Sequence, residues 1–232
     1  MRGSSKMANV TAAKEGLAAP APGQFQGNAQ RLSALRRLAE DRPAEAEAQV
    51  WEWLSEFRSL DTHHALGWLF AQGYTPAVDS VQGDCEGMVL GLYGTLWLDA
   101  VDRLVRVGRL AGGIGWAGKT FDMQTRRGYN RLTRGARLPM LAVMPGYRFE
   151  SKGGELIGFH FDIAIEPSPV SPEQEVMSIA YDNPADKNPI VLPRTRDEMV
   201  EIVPGVCLGR AILREKNGFR VVGYFASRRP RG

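Results

Sequence analysis

Apolar residues follow two periods along this chain, helical spacing in its first half and alternation in its second. Leu32, Leu35 and Leu38, with Arg31, Arg36 and Arg37 between them, predict a short amphipathic helix from Asn28. Asp41 and Pro43 read as a second helix start, whose stripe of Val50, Trp51, Leu54 and Phe57 runs to about Leu60. Asp61 and Thr62 cap a third, through His63, His64, Leu66, Trp68, Leu69 and Phe70, ending near Gly73. The segment 88–94 is apolar and broken by glycine, a strand with close backbone approach at Gly91. Thr95 then opens a helix with Leu96, Trp97, Ala100, Val101, Leu104 and Val105 on one face and Asp99, Asp102, Arg103 and Arg106 on the other.

Beyond Phe121 the period becomes two. Residues 126–128 and 133–135 are turn-rich, and 140–144 predicts a strand. Residues 152–155 form a hairpin turn into the clearest strand of the chain. There Ile157, Phe159, Phe161, Ile163 and Ile165 alternate with Gly158, His160, Asp162, Ala164 and Glu166. Further strands are expected at 176–181, 199–203, 206–213 and 219–226, with a hairpin turn at 216–218 and a long loop at 182–196. Antiparallel strands in this number must close or be covered, since bare edges pair with other chains. The expected class is therefore mainly β (α+β), an antiparallel barrel capped by N-terminal helices, with a curved sheet under one helical face as the alternative. The expected division is a disordered segment 1–27, a helical region 28–75, a barrel-like domain 76–227 and a basic tail 228–232.

Composition narrows the function classes. Net charge is +3, with basic residues gathered at the termini, and phosphate-binding loops and RNA-binding aromatics are missing. No nucleic-acid partner is expected. No apolar run reaches the roughly 18 residues that a spanning helix needs, and two cysteines are too few for a disulfide scaffold. A soluble, cytoplasmic protein is the expectation.

Gly83-x-Cys85-x-Gly87, a strand, a helix and then Trp116-x-Gly118-Lys119-x-Phe121 resembles the GXWXG domain with the β-rich domain of unknown function that follows it. The resemblance spans roughly residues 65–225, and Cys85 stands where the family's namesake tryptophan would be. It implies a lipocalin-like barrel whose glycine/tryptophan element closes one end and whose lumen holds an apolar ligand. It implies no particular activity.

Candidate chemistry clusters in a few places. Lys119 lies among aromatic residues, where desolvation lowers an amine pKa; the alternative is a stem packed on Trp116 with its ammonium in water. His160 and Asp162 share a strand face as an acid/base pair if that face lines the lumen, and are solvated if the Phe/Ile face does. Tyr181 and the triplet Arg196-Asp197-Glu198 bracket the long loop, and Asn130 follows Tyr129; each is a binding candidate or turn chemistry. Tyr93 and Trp116 complete the lumen set. Adjacent His63 and His64 lack metal-ligand spacing, and Cys85 between Asp84 and Glu86 is no activated thiolate. No cofactor or metal is called for. The leading expectation is binding of a hydrophobic small molecule. The alternative is a cofactor-independent lyase, isomerase or hydrolase, with His160, Asp162 and Lys119 catalytic and Tyr93, Trp116, Asn130, Tyr181 and Arg196 binding.

Overall fold

Strand closure, made across one bulged strand, decides the architecture. The computed structural model of the chain describes residues 25–57, 63–92, 115–138, 140, 144, 146–189 and 192–230. Helices α1 (Gln26–Asp41), α2 (Pro43–Glu56), α3 (His63–Ala71) and the single turn α4 (Val78–Val81) precede nine strands. These are β1 (Gly83–Leu92), β2 (Trp116–Asp122), β3 (Arg127–Thr133), β4 (Glu150–Lys152), β5 (Glu155–Pro167), β6 (Glu175–Ala180), β7 (Thr195–Val203), β8 (Val206–Glu215) and β9 (Gly218–Arg228). The sheet runs β3-β2-β1-β9-β8-β7-β6-β5, and β3 also pairs with β5, so eight antiparallel strands close into a barrel; β4 is a short addition beside β5.

The barrel has two cores. Inside lie Cys85, Phe121, Phe161, Ile163, Met177, Ile179, Met199 and Cys207. Outside, Val50, Leu54, Leu66, Leu69 and Phe70 of the helices pack on Met88, Val200, Ile202, Leu208 and Ala226 of β1, β7, β8 and β9. The helices thus cover a side wall of the barrel rather than cap its end. Strands so covered bury both faces, which is why β7 is buried without a break from Asp197 to Val203 and β9 from Val222 to Ser227. On the covered wall Arg210 donates to Glu198 Oε2 at 2.7 Å and to Ser168 Oγ at 2.8 Å, with its guanidinium 4.1 Å over the Phe70 ring.

Several expectations change. Helix α1 begins at Gln26, inside the segment expected to be disordered; residues 1–24, the caps at Asp61 and Thr62, Tyr93 and the Thr95 helix lie outside the described residues. Arg42, not Asp41, occupies the cap position of α2, with Pro43 first in the helix as expected. Met144 N–H donates to the Met140 carbonyl at 2.7 Å, a bond between residues four apart that an extended strand does not make; 141–143 lie outside the described residues. Arg127, Gly128 and Thr133, read as parts of turn-rich segments, lie at the two ends of β3. Arg228, assigned to the tail, ends β9 and pairs with Glu86.

Strand β5 shows the most consequential difference. Its register against β3 slips between Gly128/Phe161 and Asn130/Gly158, and Phe159 takes φ of +53°. This is a bulge with a non-glycine residue in the left-handed region. It shifts the alternation: Leu156 joins the barrel interior on one side of the bulge and Phe159, Phe161 and Ile163 on the other, while Ile157 belongs to neither core.

Candidate functional site

Strands β2 and β3 build the floor of the site. In β2, alternation turns Lys119 and Phe121 inward while Thr120 meets Asp84 outside. In β3, Gly128, Asn130 and Leu132 are buried and the arginines lie outside. The register sets Asn130 directly opposite Lys119. Two glycines allow β1 and β2 to close up. Gly118 has φ of +145°, and a Cβ there would stand 1.9 Å from the Cys85 carbonyl oxygen; a Cβ on Gly87 would stand 2.4 Å from the Trp116 ring.

Tyr181 enters from the loop after β6. Asn188 Nδ2 donates to the carbonyls of Tyr181 (3.0 Å) and His160 (2.8 Å), and Asn183 donates to Asp162. Arg127 pairs with Asp162 and Asp186. The loop is thereby pinned to β5, and Tyr181 is directed into the lumen. Asp197 comes from β7, opposite Ile179 and Ala211.

These side chains form one buried network. Lys119 Nζ donates to Asn130 Oδ1 (2.9 Å), Tyr181 Oη (2.6 Å) and Asp197 Oδ2 (2.8 Å), which engages all three ammonium hydrogens. Tyr181 donates to Asp197 Oδ2 at 2.7 Å. Asn130 also accepts from Trp116 Nε1 at 3.0 Å and donates to the Phe159 carbonyl at 3.0 Å. Exposure is 2% at Lys119, 3% at Tyr181, 6% at Asn130 and 8% at Asp197. Rings of Trp116, Phe161, Tyr181 and Phe225 have their centroids 5.1–5.5 Å from Nζ. Burial lowers the Lys119 pKa below its ordinary value, opposed by the Asp197 carboxylate; burial and that same carboxylate raise the Tyr181 phenol well above its own.

The network borders a cavity of about 250 Å³. Its apolar wall includes Val89, Leu92, Phe159, Leu192, Val222 and Phe225. Phe159 is fixed on every side: its N–H donates to Tyr147 Oη at 2.6 Å, its ring stacks on Tyr147 at 4.9 Å, and Phe149 meets it edge-on. The bulge therefore places a held aromatic ring at the cavity.

Of the residues expected in the lumen, Trp116, Lys119, Asn130 and Tyr181 are brought together. The catalytic pair is corrected: with Phe159 and Phe161 inward, His160 and Asp162 lie on the outer face of β5, against Tyr129 and Arg127. Arg196 is corrected as well. It neighbours Asp197 and so turns outward, 2.9 Å from Glu166. Asp197, the acid of the network, is expected only within the triplet 196–198, from which Arg196 enters the binding set, although Asp197 sits two residues before inward-facing Met199. Tyr93 lies outside the described residues.

Among the described residues no helix is long and apolar enough to cross a membrane. None of their His, Cys, Asp and Glu side chains group in threes as a metal site. No protein-family model matches the chain, and no curated protein matches it. Among solved structures it is similar to a crystal structure of a protein from Thermomonospora curvata, at 15% identity with a TM-score of 0.47, covering 81% of this chain and 99% of that one.

Proposed function

We propose that the barrel binds an apolar small molecule, held in the cavity against Trp116, Phe159 and Phe225 with its one polar end at Lys119, Tyr181 and Asp197. The supporting observation is a mostly apolar cavity ending in a compact, convergent polar cluster, the general form of a small-molecule site. A cavity of about 150 Å³ accepts benzene, so about 250 Å³ suits roughly ten non-hydrogen atoms. The interlocked β1 and β2 segments, with Trp116 seated on Gly87, are the part of the chain that carries the GXWXG resemblance, and we read them as closing this end of the lumen. The test is native mass spectrometry of freshly purified protein, followed by titration with apolar probes. A discrete bound mass, or binding that weakens at least tenfold when Ala211→Phe fills the cavity, supports this reading. An empty protein that binds no probe rejects it.

Cofactor-independent catalysis in the same cavity is the second reading. It is favoured by an amine, a phenol and a carboxylate in mutual hydrogen-bond contact at the cavity wall. The acid/base work then belongs to Lys119, Tyr181 and Asp197 in place of His160 and Asp162.

A further inference from the structure

We infer that the cavity takes an apolar aldehyde or ketone and that Lys119 captures its carbonyl carbon as an imine; this rests on the small-molecule reading above and names the ligand class. The first ground is a count of hydrogen-bond donors. Trp116 Nε1, the three Lys119 hydrogens, both Asn130 amide hydrogens, the Tyr181 phenol and the Thr195 hydroxyl are all engaged with protein acceptors. A carboxylate or phosphate ligand would find none of these donors free, and Asp197 would repel it. The site is poor for anions and well suited to a neutral electrophile.

The second ground is the position of the amine. Lys119 lines the cavity at 2% exposure, and among the described residues the one carboxylate on the wall, Asp197, is bonded to it at 2.8 Å. A desolvated lysine is the usual form of an imine-forming amine, and its lowered pKa agrees with that use.

The steps balance without any redox partner. Asp197 takes one ammonium proton, and the nitrogen lone pair attacks the carbonyl carbon. The C–N bond forms, and the carbonyl oxygen becomes a hydroxyl with a proton from nitrogen. The C–O bond then breaks, water leaves with the proton returned by Asp197, and an iminium remains beside the Asp197 carboxylate. That cation inherits the ammonium's place among the four rings.

The experiment uses hydrocinnamaldehyde, which has about ten non-hydrogen atoms, with sodium cyanoborohydride on the intact protein. Peptide mapping should find one phenylpropyl group at Lys119, installed at least tenfold faster than at exposed Lys152, Lys187 or Lys216. Hydrocinnamyl alcohol, which cannot form an imine, should bind by calorimetry and slow the labelling. Lys119→Arg, which keeps a cation and has no imine-forming amine, should lose the selective adduct. Mapping of the unsubstituted protein needs no variant to fold. Alcohol binding with label only on exposed lysines would overturn the imine and leave the binding reading intact. Absence of both alcohol binding and selective labelling would overturn both.

Discussion

Tyr181 and Lys119 direct their hydrogens at one oxygen, Asp197 Oδ2, from 2.7 and 2.8 Å, while Lys119 also donates to the Tyr181 oxygen at 2.6 Å. Three groups thus share two charges at nearly fully buried positions. Removal of any one leaves the others with buried, unmet polarity.

Lys119→Met should therefore cost about 3–5 kcal/mol, because Asp197 is left charged and unpaired in the barrel. Urea denaturation measures it. Adding Asp197→Asn to the same chain should recover part of the loss, and strict additivity of the two substitutions would show that they do not interact.

Tyr181→Phe removes an acceptor from Lys119 and a donor from Asp197. A loss of about 1–3 kcal/mol is expected from the unsatisfied groups. The variant should also be less sensitive to alkali. The folded phenol has a raised pKa, so its stabilisation is present below the unfolded value of 10.0 and is lost as pH rises beyond it. Melting curves between pH 8 and pH 11, roughly the alkaline working range, should converge for the two proteins.

Cys85 gives a second alkaline effect. Burial pushes its thiol from 9.0 to about 11. Between those two values the unfolded chain ionises and the folded one does not, so stability falls with rising pH by on the order of 3 kcal/mol at the upper end. Cys85→Ala should flatten that decline in denaturation experiments, and an unchanged slope would remove Cys85 as its source.

Gly118→Ala should fail to give folded barrel, since the added Cβ would overlap the Cys85 carbonyl at 1.9 Å and the backbone lies at φ of +145°. Gly87→Ala is milder, because the clash is with the Trp116 ring. It should fold, shift tryptophan emission and weaken ligand binding, as circular dichroism and a probe titration would show.

His160→Ala tests the outward placement of the expected catalytic pair. The side chain touches Tyr129, and its loop contact runs through the backbone carbonyl, which the substitution retains. Ligand binding should be unchanged and stability altered by about 0.5 kcal/mol or less. A loss of binding would place His160 in the lumen after all.

What the sequence disclosed follows from how each signal is encoded. Lys119 and Trp116 stood out because a lysine inside an aromatic, glycine-framed strand is a local oddity. Strand β3 was hidden because its inward set is Gly128, Asn130 and Leu132 and its outward set carries Arg127 and Arg131, the inverse of an apolar signal. The bulge at Phe159 left no trace beyond an unbroken alternation, yet it decides which residues of β5 share the lumen. Asp197 and Arg196 differ by one position, and the choice between them depends on the phase of β7, which apolar residues on both faces conceal. Tertiary burial on two sides erased the pattern that would have fixed the phase.

The seam of the barrel joins β1 to β9, with Glu86 paired to Arg228 across 142 residues of sequence. No earlier strand can substitute for this partner, so on the ribosome the cavity does not exist until the last strand has emerged. Until then the free edges of β1 and β8 are open templates for other chains. Such non-local closure is slow, which exposes those edges to misassembly. Under the proposed binding reading, ligand capture can only follow the pairing of β9, and a chain cut short by that one strand would be an open-edged, aggregation-prone polypeptide.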